Sequence, residues 1–431
     1  MSVWEGLWLL VAVLAVLLAL GVRVAYVLLA AGIVGTLWVL EPSDPLAVAR
    51  EAWKAINSYS LTAIPLFVFM AAVLLRADVT RAAYSGFAAL LGPLPGGAAY
   101  ANIGGSTLFA AISGSSVANA AALGTVAGPA MTELGYSRRL TFGSIAAGGG
   151  LGILMPPSTA LIIFGSLSGV SISKLFMGGV VPALILGFLF CLVVFVWGLL
   201  RPADAPRAGR PEKADVIDAV VGITPLLGLI GVVLGGIYAG VFTPTEAGGV
   251  GAVGGIMVAA LRRRLSISML WAAASEAAAL TSMILLIISG AAVMSYVVGM
   301  MALPSELSFL ISNSNISITA LLLLLGLAYV VFGLFIESVS LIVLTVPVLY
   351  PVLNTLGIDG VWLGIYTVVL IEIGLITPPI GLNLYVLQKI PAGQTMTDII
   401  IGALPFVGAL LCLAGLLLVF PGIATWLPSK L

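Results

Sequence analysis

Apolar residues run along the chain in blocks of the length that crosses a bilayer, near 20 residues each. They lie at 7–21, 24–40, 56–76, 175–200, 216–240, 247–261, 278–300, 317–335 and 399–420. The pattern predicts an all-α polytopic membrane protein whose first two blocks form a transmembrane hairpin rather than a cleaved leader. Between 82 and 172, and again between 336 and 388, Gly, Ser, Asn, Thr and Pro interrupt the apolar runs, so these segments are too broken for ordinary spanning helices. Proline removes an amide donor and clashes with the preceding turn. Backbone groups freed in hydrocarbon need protein or a water-filled cavity to receive them, so each break is either packed over or used.

The two broken regions are copies of one another. A shift of 222 residues carries Pro156-Pro157 onto Pro378-Pro379, Pro129 onto Pro351, Gly135 onto Gly357 and Ser116 onto Ser338. One gap later, Gly179-x-x-Pro182 meets Gly402-x-x-Pro405. This organises the chain as N-terminal scaffold helices (1–55), a first repeat (56–200), a polar linker with connecting scaffold helices (201–277) and a second repeat (278–427). Arg23, Arg76, Arg81, Arg138-Arg139, the 201–213 cluster and Arg262 to Arg264 all become cytoplasmic if the N-terminus and the Glu41–Asp44 loop are outside. The repeats then run antiparallel. Inverted repeats with paired discontinuous helices mark secondary transporters, whose substrate and coupling ion bind near the midplane.

Composition narrows the function. Of the 431 residues, 61% are hydrophobic and 8% charged, against about 25% charged in soluble domains, and the mean hydropathy is +1.24. Net charge is zero and the cations are scattered, so nucleic acid is not an implied partner; the lipid bilayer is. The chain has no histidine, which removes the usual proton shuttle and metal ligand. No phosphate-binding G-x-x-x-x-G-K-[ST] motif is present. Cys191 and Cys412 lie in apolar runs, where a thiol is ordinarily a small hydrophobe.

Candidate chemistry sits at the breaks. "AAISGSSVANAAALGTVAGP" (110–129) concentrates Ser113, Ser115, Ser116 and Asn119 in a small-residue stretch suited to a re-entrant hairpin tip. Its counterpart, "GLFIESVSLIVLTVPVLYP" (333–351), carries Glu337, Ser338 and Ser340. "LMPPST" (154–159) and "LITPPIGLN" (375–383) mark unwound helices, which offer carbonyls to a cation at one end and amides to a carboxylate at the other. Oxygens of Ser158, Thr159, Thr377 and Asn383 complete a cage for a hard alkali cation, whereas a transition metal would want thiolate or imidazole. Paired prolines can simply bend a membrane helix, but two copies in register, each with a polar tip before it, favour function. Glu337 and Glu372 lie in apolar surroundings and are functional candidates by default. Glu337 either neutralises a bound cation, pairs with a neighbouring amide or faces water. Glu246 and Glu276, nearer segment ends, read as structural.

At these residues the sequence resembles the large, DctM-type membrane subunit of the tripartite ATP-independent periplasmic (TRAP) transporters. The resemblance rests on "AIPLFVFM" (63–70), "GPLPGG" (92–97), "SGSSVANAAALG" (113–124), "GGLGILMPPS" (149–158), "FTPTEAG" (242–248) and "EIGLITPPIGLNLYV" (372–386). It implies a sodium-driven organic-acid uptake system of the bacterial inner membrane, with an elevator-like motion of the repeat core. It implies two partners as well, a small four-helix membrane subunit (DctQ-type) and a periplasmic solute-binding protein (DctP-type). By that resemblance sodium binds at Ser113, Gly114, Ser115, Ser116 and Asn119, at Pro156 to Ser158, and at Glu337, Ser338, Thr377, Pro378 and Pro379. Substrate contact is expected at Ser158, Thr159, Ser340, Gly381 and Asn383. Position 119 is Asn where the family often has Thr, and 337 is Glu where Asp is expected; both keep oxygen chemistry.

Two other classes compete. An intramembrane hydrolase using Ser115 or Ser116 lacks a base, since no histidine exists and Lys174 and Lys389 lie near segment ends. A channel has little need of two antiparallel discontinuous elements facing one midplane. The leading expectation is a sodium-coupled carboxylate transporter, with or without a binding protein.

Overall fold

The computed structural model describes residues 2–40, 44–207, 213–314 and 316–430, with the side chains of 45, 213–215 and 218 left aside. The outer loop expected at Glu41–Asp44 lies outside the described residues save Asp44, and so does the middle of the 201–215 linker. Every regular element among the described residues is helical, and 8 helices are long and apolar enough to cross a membrane. The unbroken runs become helices within a few residues of their expected limits, such as Ile172–Leu200, Pro244–Leu261 and Met396–Val419. The run at 278–300 extends back to Ile267, giving a 34-residue helix. Its polar start is tolerated because Glu276 pairs with Arg76 at 2.6 Å. Glu246 closes a capping box with Thr243 at the start of Pro244–Leu261, so both carboxylates have structural partners.

The broken regions are more helical than their sequence suggests. Pro129 lies inside the helix Ser116–Glu133, and Pro347 and Pro351 lie inside Ser338–Thr355. In a membrane protein, neighbouring helices and Ser/Thr hydroxyls can satisfy the carbonyls that a proline frees.

The repeat register recurs in the element ends. Ser116–Glu133 and Ser338–Thr355 are offset by 222 residues at both ends, as are Arg138–Leu154 and Gly360–Ile376. Their caps match too. Ser115 and Glu337 cap the first pair, and Ser137 and Asp359 cap the second, each side chain accepting from a backbone amide of the first turn.

The repeats interlock by backbone contact. A methyl on Gly143 would come 2.2 Å from the carbonyl oxygen of Gly402, and one on Gly402 would come 2.0 Å from that of Arg139. Helices approach so closely in membranes only where small residues face each other. Phe190 and Phe406 meet edge to face across the repeats at 5.5 Å.

Candidate cation and solute site

In the first repeat, Gly97–Ser113 and Ser116–Glu133 form a helical hairpin whose tip is Gly114 and Ser115. Gly114 has φ +56°, where an L side chain is strained, and a methyl there would lie 2.9 Å from the Thr159 amide nitrogen and 3.0 Å from the Pro157 carbonyl oxygen. The tip is thus seated on the break. Thr159 fastens it by donating to the Gly114 carbonyl at 2.8 Å, and Ser113 donates to the Ser115 carbonyl at 3.4 Å. The helix Arg138–Leu154 stops, the chain turns through Met155 to Pro157, and Ser158 starts the helix Thr159–Ser168. Ser158 Oγ donates to the Ile153 carbonyl at 2.6 Å and accepts from the Leu161 amide at 3.5 Å, so one hydroxyl serves both broken ends. Pro156 through Thr159 are buried.

In the second repeat the tip lies between Ile318–Gly333 and Ser338–Thr355. The half-buried Glu337 carboxylate accepts from the amides of Val339 (3.1 Å) and Ser340 (2.9 Å) and from the Ser340 hydroxyl (3.0 Å). Of the roles open to Glu337, amide pairing is therefore realised at the helix start, where negative charge is favoured. The break runs from Thr377 to Gly381, with Thr377 donating to the Ile373 carbonyl. Gly381 has φ +56°, and a methyl on it would lie 3.0 and 3.1 Å from the carbonyl oxygens of Thr377 and Leu375. Among the described residues no side-chain hydrogen bond joins Glu337 to this break. The Pro156-Pro157 and Pro378-Pro379 peptides are both cis.

The two halves meet at Ser116, Glu372 and Asn383. Ser116 Oγ donates to Glu372 Oε1 at 2.8 Å; Asn383 Nδ2 donates to Ser116 Oγ at 2.6 Å and to Glu372 Oε1 at 3.2 Å. All three are buried. Close by, Asn119 donates to the carbonyls of Ser106 (3.2 Å) and Gly148 (2.9 Å). Gly149 and Gly150 make room for the cluster: a methyl on Gly149 would meet Asn383 Nδ2 at 3.0 Å, and one on Gly150 would meet Glu372 Cγ at 2.8 Å. Asn119 Oδ1, Asn383 Oδ1 and Glu372 Oε2 have no hydrogen-bond partner. Buried polar atoms are ordinarily paired, so three orphaned oxygens in one region are a donor set short of a partner. Oxygens of this kind suit a hard cation.

Outside the second break, the expected residues fall into three groups: Ser113 to Ser115 against Pro156 to Thr159; Glu337 with Ser338 and Ser340; and Ser116 with Asn383, Asn119 lying close by. Thr377, Pro378, Pro379 and Gly381 form a single turn. Glu372, which the sequence marks as a functional candidate because it is a carboxylate in an apolar segment, is the centre of the third group. The signal that finds it is the repeat itself, since the 222-residue shift carries Gly150 onto Glu372.

The model of the tripartite ATP-independent periplasmic transporter, DctM component, matches residues 11–423. The C4-dicarboxylate TRAP transporter large permease protein DctM of Pseudomonas aeruginosa is 34% identical over 405 residues, covering 93% of this chain and 94% of that protein. The isethionate TRAP transporter permease protein DctMQ of Oleidesulfovibrio alaskensis is 34% identical over 340 residues, 79% of this chain and 53% of that protein. Among solved structures, MtrF of Neisseria gonorrhoeae superposes with a TM-score of 0.62 over 97% of each chain at 12% identity, a likeness of fold alone.

Proposed function

The chain belongs to the DctM family of tripartite ATP-independent periplasmic transporters, inner-membrane permeases and not enzymes, and from that premise we propose that it moves a small organic acid inward, driven by sodium. The observation that carries this reading is the meeting of the two repeats at Ser116, Glu372 and Asn383, beside two helix breaks and three unpartnered buried oxygens. Sodium would be held by oxygens of the first tip (Ser113, Gly114, Ser115, Ser116, Asn119), of Pro156 to Ser158, and of Glu337, Ser338 and Thr377 to Pro379. A solute carboxylate would lie against Ser158, Thr159, Ser340, Gly381 and Asn383, exchanging their present intramolecular hydrogen bonds for bonds to the solute. The DctM relative named for C4-dicarboxylates supports an acid of that class, sialic acids being a second class of the kind.

The close backbone contacts between repeats, at Gly143 and Gly402, favour a core that moves as one body against the flanking helices, as an elevator does. Two partners complete the system. One is a small DctQ-type membrane subunit, supported by the relative named DctMQ; the other is a DctP-type periplasmic binding protein that delivers the solute. Purified protein with both partners in liposomes tests the reading: a labelled C4-dicarboxylate should accumulate only with an inward sodium gradient and the binding protein. Accumulation with sodium but without the binding protein would instead favour a sodium-coupled carboxylate transporter that works alone. Accumulation without sodium would refute the coupling.

A further inference from the structure

Residues 150 and 372 occupy the same position in the repeat-related helices Arg138–Leu154 and Gly360–Ile376, and they touch: a methyl on Gly150 would lie 2.9 Å from Glu372 Oε1. In a pair of inverted repeats, a residue meets its own mate only at the axis relating the halves. Glu372 therefore stands on that axis, in space the first repeat vacates by having glycine. Its side chain is 1% exposed, both its hydrogen bonds fall on Oε1, and Oε2 is bare. None of the ion pairs among the described residues includes it. A carboxyl so placed is costly to ionise; it either takes up a proton or is held ionised by a cation beside it. Glu337 differs, because three donors already satisfy it at a helix start.

We propose that the ionised carboxylate of Glu372 is the shared counter-charge of the cation sites of both repeats, and the positioning residue that fixes Ser116 and Asn383 between them. The inference rests on the sodium-coupled reading above. Standing on the axis, one charge serves two sites, so its loss weakens both together and not one alone.

The test compares the parent, Glu372→Gln and Glu372→Asp, each complete with its partners in liposomes and also purified in detergent. Two quantities are read: the sodium dependence of uptake at saturating solute, and the rise in Tm that sodium produces over choline. For Glu372→Gln the half-saturating sodium should rise about tenfold and the activation curve should flatten. Its sodium-induced rise in Tm should shrink, while its Tm in choline stays at or above the parent's, since Gln keeps the side chain's shape and removes the cost of a buried ionisable group. Glu372→Asp should recover part of both. A Glu372→Gln protein that loses maximal uptake but keeps the parent's half-saturation, steepness and sodium-induced Tm rise would overturn the proposal while leaving sodium coupling intact. Should Glu372→Gln fail to accumulate in the membrane, Glu372→Asp decides alone: an unmoved sodium curve overturns it. A parent with no sodium dependence at all removes the underlying reading, and this proposal with it.

Discussion

The two helix breaks share a backbone plan and differ in how they are closed. In the first repeat, Pro156 to Thr159 are buried beneath a neutral tip that is hydrogen-bonded to the break through Thr159 and Gly114. In the second, Thr377 and Pro378 are half-buried and Pro379 is exposed, while the tip carboxylate of Glu337 is turned to its own helix start. The difference runs through three matched positions: Ser115 against Glu337, Ser137 against Asp359, Gly150 against Glu372. The first half contributes small and neutral groups and a sealed break. The second contributes the negative charges and the open one. Duplication thus supplies the geometry, and divergence between the copies divides the chemistry at these matched positions.

Substitutions at the breaks, the first tip, the axis and the caps test that contrast. Pro378→Ala with Pro379→Ala returns two amide donors to the second break and lets its helix continue; uptake should fall about 100-fold, the scale of a misplaced reacting geometry. Unaltered uptake would mean that these prolines merely bend the helix. The matching pair at 156 and 157, sealed by its tip, should also lose protein stability, read as Tm. Next, Ser115→Ala with Ser116→Ala removes the first tip's hydroxyls and a buried bond to a carboxylate worth about 1.5–3 kcal/mol. Uptake by this double variant should depend less steeply on sodium while the protein still folds; a curve that tracks the parent's would remove the first tip from the ion site. Gly150→Ala drives a methyl into Glu372 and should cost about 1–3 kcal/mol, seen as a lower Tm. Gly187, with no atom within 4 Å of an added methyl, is the control. The smallest effects belong to the matched caps. Ser137→Ala and Asp359→Ala should each cost about 1 kcal/mol, the second slightly more because a carboxylate also meets the helix dipole.

Much of this was legible in the sequence, because prolines and glycines act locally. Pro156-Pro157 and Pro378-Pro379 announce the breaks, and the 222-residue shift announces the repeat. What was not legible depends on long-range packing. The helices continue through Pro129 and Pro351, which no local rule foretells. Glu372 meets Ser116 across 256 residues, and the spacing of charges along one segment cannot reveal such a partner. Only the repeat register hints at it, by pairing a carboxylate with a glycine.

On the sodium-coupled reading, both repeats lend oxygens to the ion and its entry drives the solute's. The most direct measurement follows radiolabelled sodium and labelled C4-dicarboxylate together into the same liposomes, with both partners present. Sodium entry that rises with solute entry in a fixed ratio, and falls with it in the Ser115→Ala, Ser116→Ala protein, is the expected result. Solute that accumulates with no accompanying sodium would contradict the account.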